Sequence, residues 1–89
     1  MYSVWKFLLQ ADHSQKLEFP LGSKVLSVES QGDDIVIYAL VNTEQTEKEI
    51  KEIRTYGTGH DIPNDIIEFN FLGTAKLYND SMVFHVFYK

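Results

Sequence analysis

The feature that most constrains the fold is an apolar run over residues 35–41, Ile-Val-Ile-Tyr-Ala-Leu-Val. Successive side chains of a β-strand point to opposite faces of the sheet, so a run that is apolar throughout has two faces to bury. It therefore predicts a central strand. Residues 31–34, Gln-Gly-Asp-Asp, are typical of a hairpin turn, so the preceding segment 24–30 is expected to be the antiparallel partner, with Leu26 and Val28 facing inward.

Period-two alternation predicts further strands elsewhere in the chain. It is evident over residues 2–9, more briefly over 16–19, and again over 67–78 and 82–88, the last two joined by a tight turn at 79–80. In the strand before that turn, the alternation places four residues on one side: Phe69, Phe71, Ala75 and Leu77. Gly73 interrupts this pattern, which indicates a bulge or a close approach by a neighbouring element.

Residues 43–54 carry two competing patterns. Glu47 and Lys51 have the spacing of a helical ion pair, and Ile50 and Ile53 lie three apart, as in a helix with one apolar face. The segment nonetheless runs without a cap or break into β-favouring residues, so a loop followed by an exposed strand is favoured over a helix.

These patterns predict an all-β fold. We expect one domain over residues 1–89, built as a small antiparallel sandwich or partly open barrel of about seven strands. A domain of this length buries little more than about 60% of the surface of its unfolded chain, so association into a homo-oligomer would help to stabilise it.

Composition excludes several functional classes. There is no cysteine, which removes disulfide frameworks, thiolate zinc sites and cysteine nucleophiles. The net charge of −5 repels a nucleic-acid duplex but suits a basic patch on another protein. The chain has neither a secretory signal pattern nor an apolar run of about 18 residues, so we expect a cytoplasmic protein that does not enter a membrane.

One segment looks chosen for something other than a hydrophobic core, and it precedes Pro63: Tyr56-Gly57-Thr58-Gly59-His60-Asp61. Its two glycines allow backbone N–H groups to converge on one point, which, together with the Thr58 hydroxyl and His60, suits a phosphate or carboxylate. These six residues form the candidate ligand-binding site. In the competing structural interpretation, the glycines serve a strand bulge and a turn, and His60 caps a backbone group.

The chain offers little for metal binding. His60, Asp61 and Asp65 cluster in sequence but match no established ligand spacing, and Asp33 and Asp34 are typical turn formers. We therefore expect no metal site and no cofactor.

Catalysis would require a nucleophile, a base and an orienting acid around one of three histidines. His85 lies in an apolar strand and His13 in a polar loop without a motif. This leaves His60 as the candidate base, with no evident nucleophile beside it, so we expect a protein that is not an enzyme.

Large aromatic side chains exceed what one face of a thin core needs. Some are expected to build an interface, although a two-sided core could use them all. The candidates are Trp5, Tyr38, Tyr56, Tyr78, Phe87 and Tyr88.

An ordered series of motifs runs along nearly the whole chain: Val4-Trp5-Lys6-Phe7, Leu21-Gly22-Ser23-Lys24-Val25-Leu26-Ser27-Val28, Tyr38-Ala39-Leu40-Val41, the segment from Tyr56 to Pro63, Leu72-Gly73-Thr74, and Val83-Phe84-His85-Val86-Phe87. In this combination the chain resembles a family of short, uncharacterised proteins of phages and their bacterial hosts. The resemblance implies a phage or prophage origin and supports a strand before the glycine motif. It implies no activity and no catalytic residues.

Two kinds of binding without chemistry fit that context. In the first, the protein sequesters a small anionic ligand, such as a nucleotide signal of a host defence system, through the glycine-containing segment. In the second, it inhibits a host defence protein through an acidic, aromatic-bearing surface. A virion accessory role is a third hypothesis. Sequestration is slightly favoured because the segment is the least core-like feature of the chain.

Overall fold

The computed structural model describes residues 1–89 and consists of seven β-strands and one short 3-10 helix. In chain order the strands are β1 (Tyr2–Leu8), β2 (Ser14–Pro20), β3 (Lys24–Gln31), β4 (Asp34–Asn42), β5 (Lys48–Gly57), β6 (Asn70–Leu77) and β7 (Met82–Tyr88). The 3-10 helix (Asn64–Glu68) lies between β5 and β6. The predicted all-β fold of about seven strands is therefore confirmed.

The strands form two separate antiparallel sheets, so the fold is a small sandwich and not a closed barrel. One sheet has three strands in the order β1-β4-β3, and the other has four in the order β2-β5-β7-β6. The apolar run lies in β4, at the centre of the first sheet, as predicted. Ile37, Ala39 and Val41 of this strand face the core and are buried, whereas on the opposite face Val36 is buried and Tyr38 and Leu40 are half-buried.

The core lies between the two sheets. Its main cluster takes residues from both: Leu9, Val28, Ile37, Ile53, Ala75 and Val86. A smaller cluster surrounds Phe19, whose ring centroid lies 4.4 Å from that of Phe7. Phe7 packs against both clusters, so the two sheets are joined by one continuous apolar layer.

A β-bulge in β3 changes which of its residues face inward. The pairing of β3 with β4 shifts register between Val25 and Ser27. The extra residue reverses the alternation at that point, so Val25 packs against the core while Leu26 is 49% exposed. The expectation that Leu26 faces inward is therefore wrong, whereas Val28 is buried as predicted.

A second bulge has the same effect in β6. The register with β7 shifts between Phe71 and Gly73, and Leu72 packs against the core. Phe71 is 59% exposed and contacts the Phe87 ring edge to face, with centroids 5.3 Å apart. The prediction that Phe71 shares a side with Ala75 and Leu77 is therefore wrong, because that prediction assumed an unbroken alternation.

The close approach predicted at Gly73 is confirmed. A Cβ atom added to Gly73 would lie 2.9 Å from the Cγ1 atom of Val28 in β3. The glycine thus lets the edge strand of one sheet come against the edge strand of the other.

The segment before β6 also departs from expectation. Residues 43–54 resolve in favour of the strand, since β5 covers Lys48–Gly57. The strand predicted to start at residue 67 starts instead at Asn70, because residues 64–68 form the 3-10 helix and Phe69 precedes the strand. No helix in the structure is long and apolar enough to cross a membrane.

Candidate functional site

The glycine-containing segment forms the exit from β5. Gly57 is the last residue of the strand, and Thr58 and Gly59 form a turn in which Gly59 has a φ of +84°. This left-handed conformation is one that glycine adopts without steric cost. We call residues 57–60 the glycine–histidine loop. Its turn is closed by the N–H of His60, which donates to the carbonyl of Gly57 over 3.2 Å.

Two amides of the glycine–histidine loop are used inside the protein. The N–H of Thr58 donates to the carbonyl of Val83 in β7 over 3.3 Å, and that of His60 closes the turn. An anion site of the predicted kind requires several N–H groups to point at one external position. Of the structural interpretation, the turn at Gly59 is present, whereas Gly57 pairs with Phe84 in unbroken register and forms no bulge. A binding role for the loop stays a prediction.

The side chains of the candidate site face different surroundings. Tyr56 is buried, with its ring centroid 6.3 Å from that of His13 and 6.4 Å from that of Phe87. The ring of His60 lies over Gly57, where an added Cβ atom would come within 2.9 Å of Cε1. His60 and Asp61 are exposed. The structure therefore brings His60, Gly57 and Thr58 together, while Tyr56 packs on the outer face of the four-stranded sheet.

A cluster around His85 escaped the sequence analysis. The Thr58 hydroxyl oxygen lies 2.7 Å from Nε2 of His85, and the Thr74 hydroxyl oxygen lies 3.0 Å from Nδ1. A neutral imidazole has one donor and one acceptor, and each hydroxyl can take either role, so both ring nitrogens are satisfied. The pairs are 27 and 11 residues apart in sequence, and only the strand register brings them together.

The geometry of this cluster bears on catalysis. A hydroxyl can be activated as a nucleophile by an imidazole that takes its proton. The imidazole in turn needs a third group that orients it and stabilises its protonated form. In this cluster the second nitrogen meets the neutral Thr74 hydroxyl. The arrangement fixes the orientation of the ring and holds the glycine–histidine loop to β7 and β6.

Arg54 holds the 3-10 helix against the sheet. Its Nη1 and Nη2 atoms donate to the two carboxylate oxygens of Asp65 over 2.7 and 2.9 Å, and its Nε donates to Glu52 over 2.8 Å. The guanidinium also lies 4.4 Å from the ring centroid of Phe69. Its hydrogen bonds lower the pKa of both carboxyls, and the two acids raise the pKa of Arg54. Asp65, considered above as a metal ligand, thus forms an ion pair with Arg54.

Two cavities open at one end of the sandwich. The first, of about 280 Å³, lies between the β1–β2 loop, the β3–β4 turn and the adjoining ends of β6 and β7. The second, of about 270 Å³, is bounded by the glycine–histidine loop and the start of β7. They share Met82 and Phe84 as a common border.

This end of the molecule carries a concentration of carboxylates. The loops and turns that connect the strands there contain no Lys or Arg. We call this surface the acidic end; its carboxylates are Asp12, Asp33, Asp34, Asp61 and Asp80. His13 and His60 are the basic side chains among them.

The predicted aromatic surface is only partly realised. Trp5 and Tyr78 are exposed, Tyr38, Phe87 and Tyr88 are half-buried, and Tyr56 is buried. These residues are spread over both sheets and do not form one patch. Exposed aliphatic residues are found instead on the outer face of the three-stranded sheet, where Val4 and Leu8 of β1 lie beside β4.

Comparison with known proteins adds one finding. The model of a domain of unknown function, DUF7352, matches residues 1–89, which is the whole chain described above. The chain belongs to the DUF7352 family. No curated protein and no solved structure matches it. In this DUF7352 protein, the geometry and charge of the site are the features that point to a function.

Proposed function

We propose that this DUF7352 protein is a small non-catalytic binding protein that attaches its acidic end to a basic surface of another protein. The observation that carries the proposal is the acidic end itself, where five aspartates stand on loops and turns without Lys or Arg and three of them, Asp12, Asp33 and Asp34, line the first cavity. In the phage or prophage setting that the resemblance implies, the partner is a host defence protein of the cytoplasm, and binding inhibits it.

Charge is the reason for preferring a basic partner. Carboxylates gathered around concave surfaces focus a negative potential, which attracts cations and repels phosphates. A partner with a complementary basic patch gains in association rate and specificity, and the gain falls as salt screens the charges. These five aspartates account for the net charge of −5, because the other eight acids of the chain are balanced by its eight Lys and Arg, so the rest of the surface carries no net charge that would oppose this attraction.

The test is a capture experiment with matched variants. The immobilised protein is incubated with host lysate at low and at high ionic strength, and retained proteins are identified by mass spectrometry. One variant removes one carboxylate from each of two turns of the acidic end, Asp12→Asn with Asp33→Asn. The control, Glu18→Gln with Glu47→Gln, changes the net charge equally at two exposed positions away from that end, one in β2 and one just before β5.

The expected result is a basic protein that the wild type and the control retain at low salt, that high salt releases, and that the acidic-end variant fails to retain. Equal retention by both variants would show that the acidic end is not the binding surface. Retention of no host protein at low salt would contradict the proposal as a whole.

A second candidate is sequestration of a small anionic ligand in the cavity beside the glycine–histidine loop. It is favoured by the polar side chains of Thr58, His60 and Ser81, which line that cavity together with Gly57. Native mass spectrometry with cyclic and linear dinucleotides tests it directly. Binding by the wild type that is lost in His60→Ala, with thermal stability unchanged, would support sequestration, and a protein that stays free of every dinucleotide would refute it.

A further inference from the structure

The larger cavity at the acidic end has an apolar floor. Four hydrophobic side chains line its inner part: Leu9, Ile35, Leu77 and Phe84. Met82 stands at its mouth, where it is 44% exposed. Leu9 and Leu77 are buried, and Ile35 packs against the main core cluster, so this floor is a continuation of the core. At about 280 Å³ the cavity lies near the lower end of small-molecule sites, which span roughly 300–1,000 Å³. Its size and its apolar floor suit one long side chain.

The rim of this cavity is polar and acidic. Asp12 and His13 stand on the β1–β2 loop, and Asp33 and Asp34 stand on the β3–β4 turn. These carboxylates do not come close enough to form a cluster that could hold a metal ion. A diffuse negative rim of this kind suits an extended organic cation with several N–H donors, rather than a bare ion.

The basic side chains near this end form no ion pair with the rim. Lys6 donates to the neutral side chain of Gln31, the last residue of β3, over 3.0 Å. Lys76, near the end of β6, pairs with Val83 on the outer face of the four-stranded sheet. The next pair, Leu77 and Met82, faces the cavity instead. The imidazole of His13 has its Nδ1 atom 3.3 Å from the carbonyl of Thr55 and stacks on Tyr56. The aspartates of the rim have no ion-pair partner within the protein.

We propose that this cavity binds an arginine side chain of the basic partner, with the aliphatic stem on the apolar floor and the guanidinium among the rim aspartates. Long cationic side chains bury their methylene groups against apolar surface while the charged head remains at the rim. The planar guanidinium, with five N–H donors, can bridge carboxylates on two separate turns, which a compact ammonium does less well. This inference rests on the proposed function and names the chemistry by which the acidic end recognises its partner.

The test uses three small probes in an NMR titration of the 15N-labelled full chain. Butylguanidinium carries both stem and charge, guanidinium carries the charge alone, and butan-1-ol carries the stem alone. Each buried methylene contributes roughly fourfold to affinity, so butylguanidinium is expected to bind at least about tenfold more tightly than either fragment. Its amide shifts should be centred on Leu9, Ile35, Leu77 and Phe84. Equal affinities, or shifts spread over all exposed carboxylates, would overturn the assignment.

Variants separate the cavity from the charge. Asp12→Asn with Asp33→Asn should weaken butylguanidinium binding about fivefold or more, and the control pair Glu18→Gln with Glu47→Gln should leave it unchanged. Met82, which is 44% exposed at the mouth, allows a second test. Met82→Lys places an ammonium of the chain in the cavity and should abolish binding, while Met82→Leu should retain it. Binding unaffected by Met82→Lys would overturn the proposal.

The same variant distinguishes failure of this inference from failure of the proposed function. If Met82→Lys still captures the basic partner from lysate as the wild type does, the acidic end binds a protein but the cavity does not hold its arginine. If neither Met82→Leu nor the wild type captures a partner, the proposed function fails, whatever the probes do.

Discussion

The contact between Gly73 and Val28 allows a quantitative test of how the two sheets are held together. In Gly73→Ala the new methyl group would lie 2.9 Å from the Cγ1 atom of Val28, which is buried in the main core cluster. Such a distance is far inside van der Waals contact, so either the valine or the edge of β6 must move. In the folded state the substitution therefore overpacks the interface between β3 and β6.

Two opposing contributions set the magnitude. Overpacking a well-packed core costs about 1–3 kcal/mol, whereas Gly→Ala restricts the unfolded chain and recovers about 0.4–1 kcal/mol. We expect Gly73→Ala to lower the free energy of unfolding by about 1–2 kcal/mol. For a domain of this size each kcal/mol corresponds to about 4–8 °C in Tm.

Urea unfolding followed by the fluorescence of Trp5 measures the effect, and a matched substitution controls for glycine itself. In Gly57→Ala the added Cβ atom also lies 2.9 Å from its nearest neighbour, but that neighbour is the exposed ring of His60, which can swing away. Gly57→Ala should therefore change stability by less than about 0.5 kcal/mol.

A double-mutant cycle identifies the atom responsible. Val28→Ala removes the clashing methyl group, so it should cost at least about 1 kcal/mol less in the Gly73→Ala background than in the wild type. If Gly73→Ala is as stable as the wild type, or if the two substitutions are additive, the close packing of β6 on β3 is not what requires glycine at this position.

Three further predictions concern the loop and its supports. Arg54 lowers the folded-state pKa of Asp65. The pair therefore stabilises the fold fully above the ordinary aspartate pKa of about 4, and this stabilisation is lost as pH falls through the lowered pKa. In Asp65→Asn, Tm should therefore depend less on pH in this acid range than it does in the wild type. Thr74→Val removes a hydroxyl partner of His85 and should cost about 0.5–1.5 kcal/mol in urea unfolding. Gly59→Ala forces alanine to a φ of +84° and should cost about 1 kcal/mol in thermal unfolding.

Each of these has a result that would contradict it. The Arg54 argument fails if Asp65→Asn leaves the acid limb of the Tm profile unchanged. For the His85 cluster, Thr74→Ser keeps the hydroxyl and should retain the 15N shifts of the ring; the same shifts in Thr74→Val would show that the hydrogen bond is unimportant. A Gly59→Ala protein as stable as the wild type would mean that the turn adopts another conformation.

The sequence predicts the strands and their pairing better than it predicts which side chains of a strand face the core. The apolar run of β4 and the terminal hairpin are dominated by local pattern, so their strands and pairing follow directly. Leu26 is misassigned because a bulge adds one residue to β3 where the sequence contains no local mark of it. Phe71 is misassigned because Gly73 indicates a bulge in β6 but not which residues the bulge moves to the other face. Gly73 was recognised as a close approach, but its neighbour, Val28, could not be inferred from spacing alone.

The candidate site illustrates the same limit. The turn at Gly59 is local and was predictable from its residues. The contacts of Thr58 and Thr74 with His85 depend on the register of β5, β6 and β7, and that register is decided by packing across the whole sheet. The acidic end likewise arises from topology, since turns far apart in sequence, such as those holding Asp12 and Asp33, meet only after folding.

The placement of the two bulges has a consequence for the behaviour of concentrated protein. They interrupt β3 and β6, and a bulged edge is a poor template for strands of another molecule. The edge strand β1, by contrast, pairs with β4 in unbroken register from Tyr2 to Leu8 and exposes Tyr2, Val4 and Leu8. Its one charged side chain, Lys6, is held by a hydrogen bond to Gln31 across the sheet. Aggregation on storage is therefore expected to start by edge-to-edge growth at β1, and Val4→Lys should prolong the shelf life of the sample.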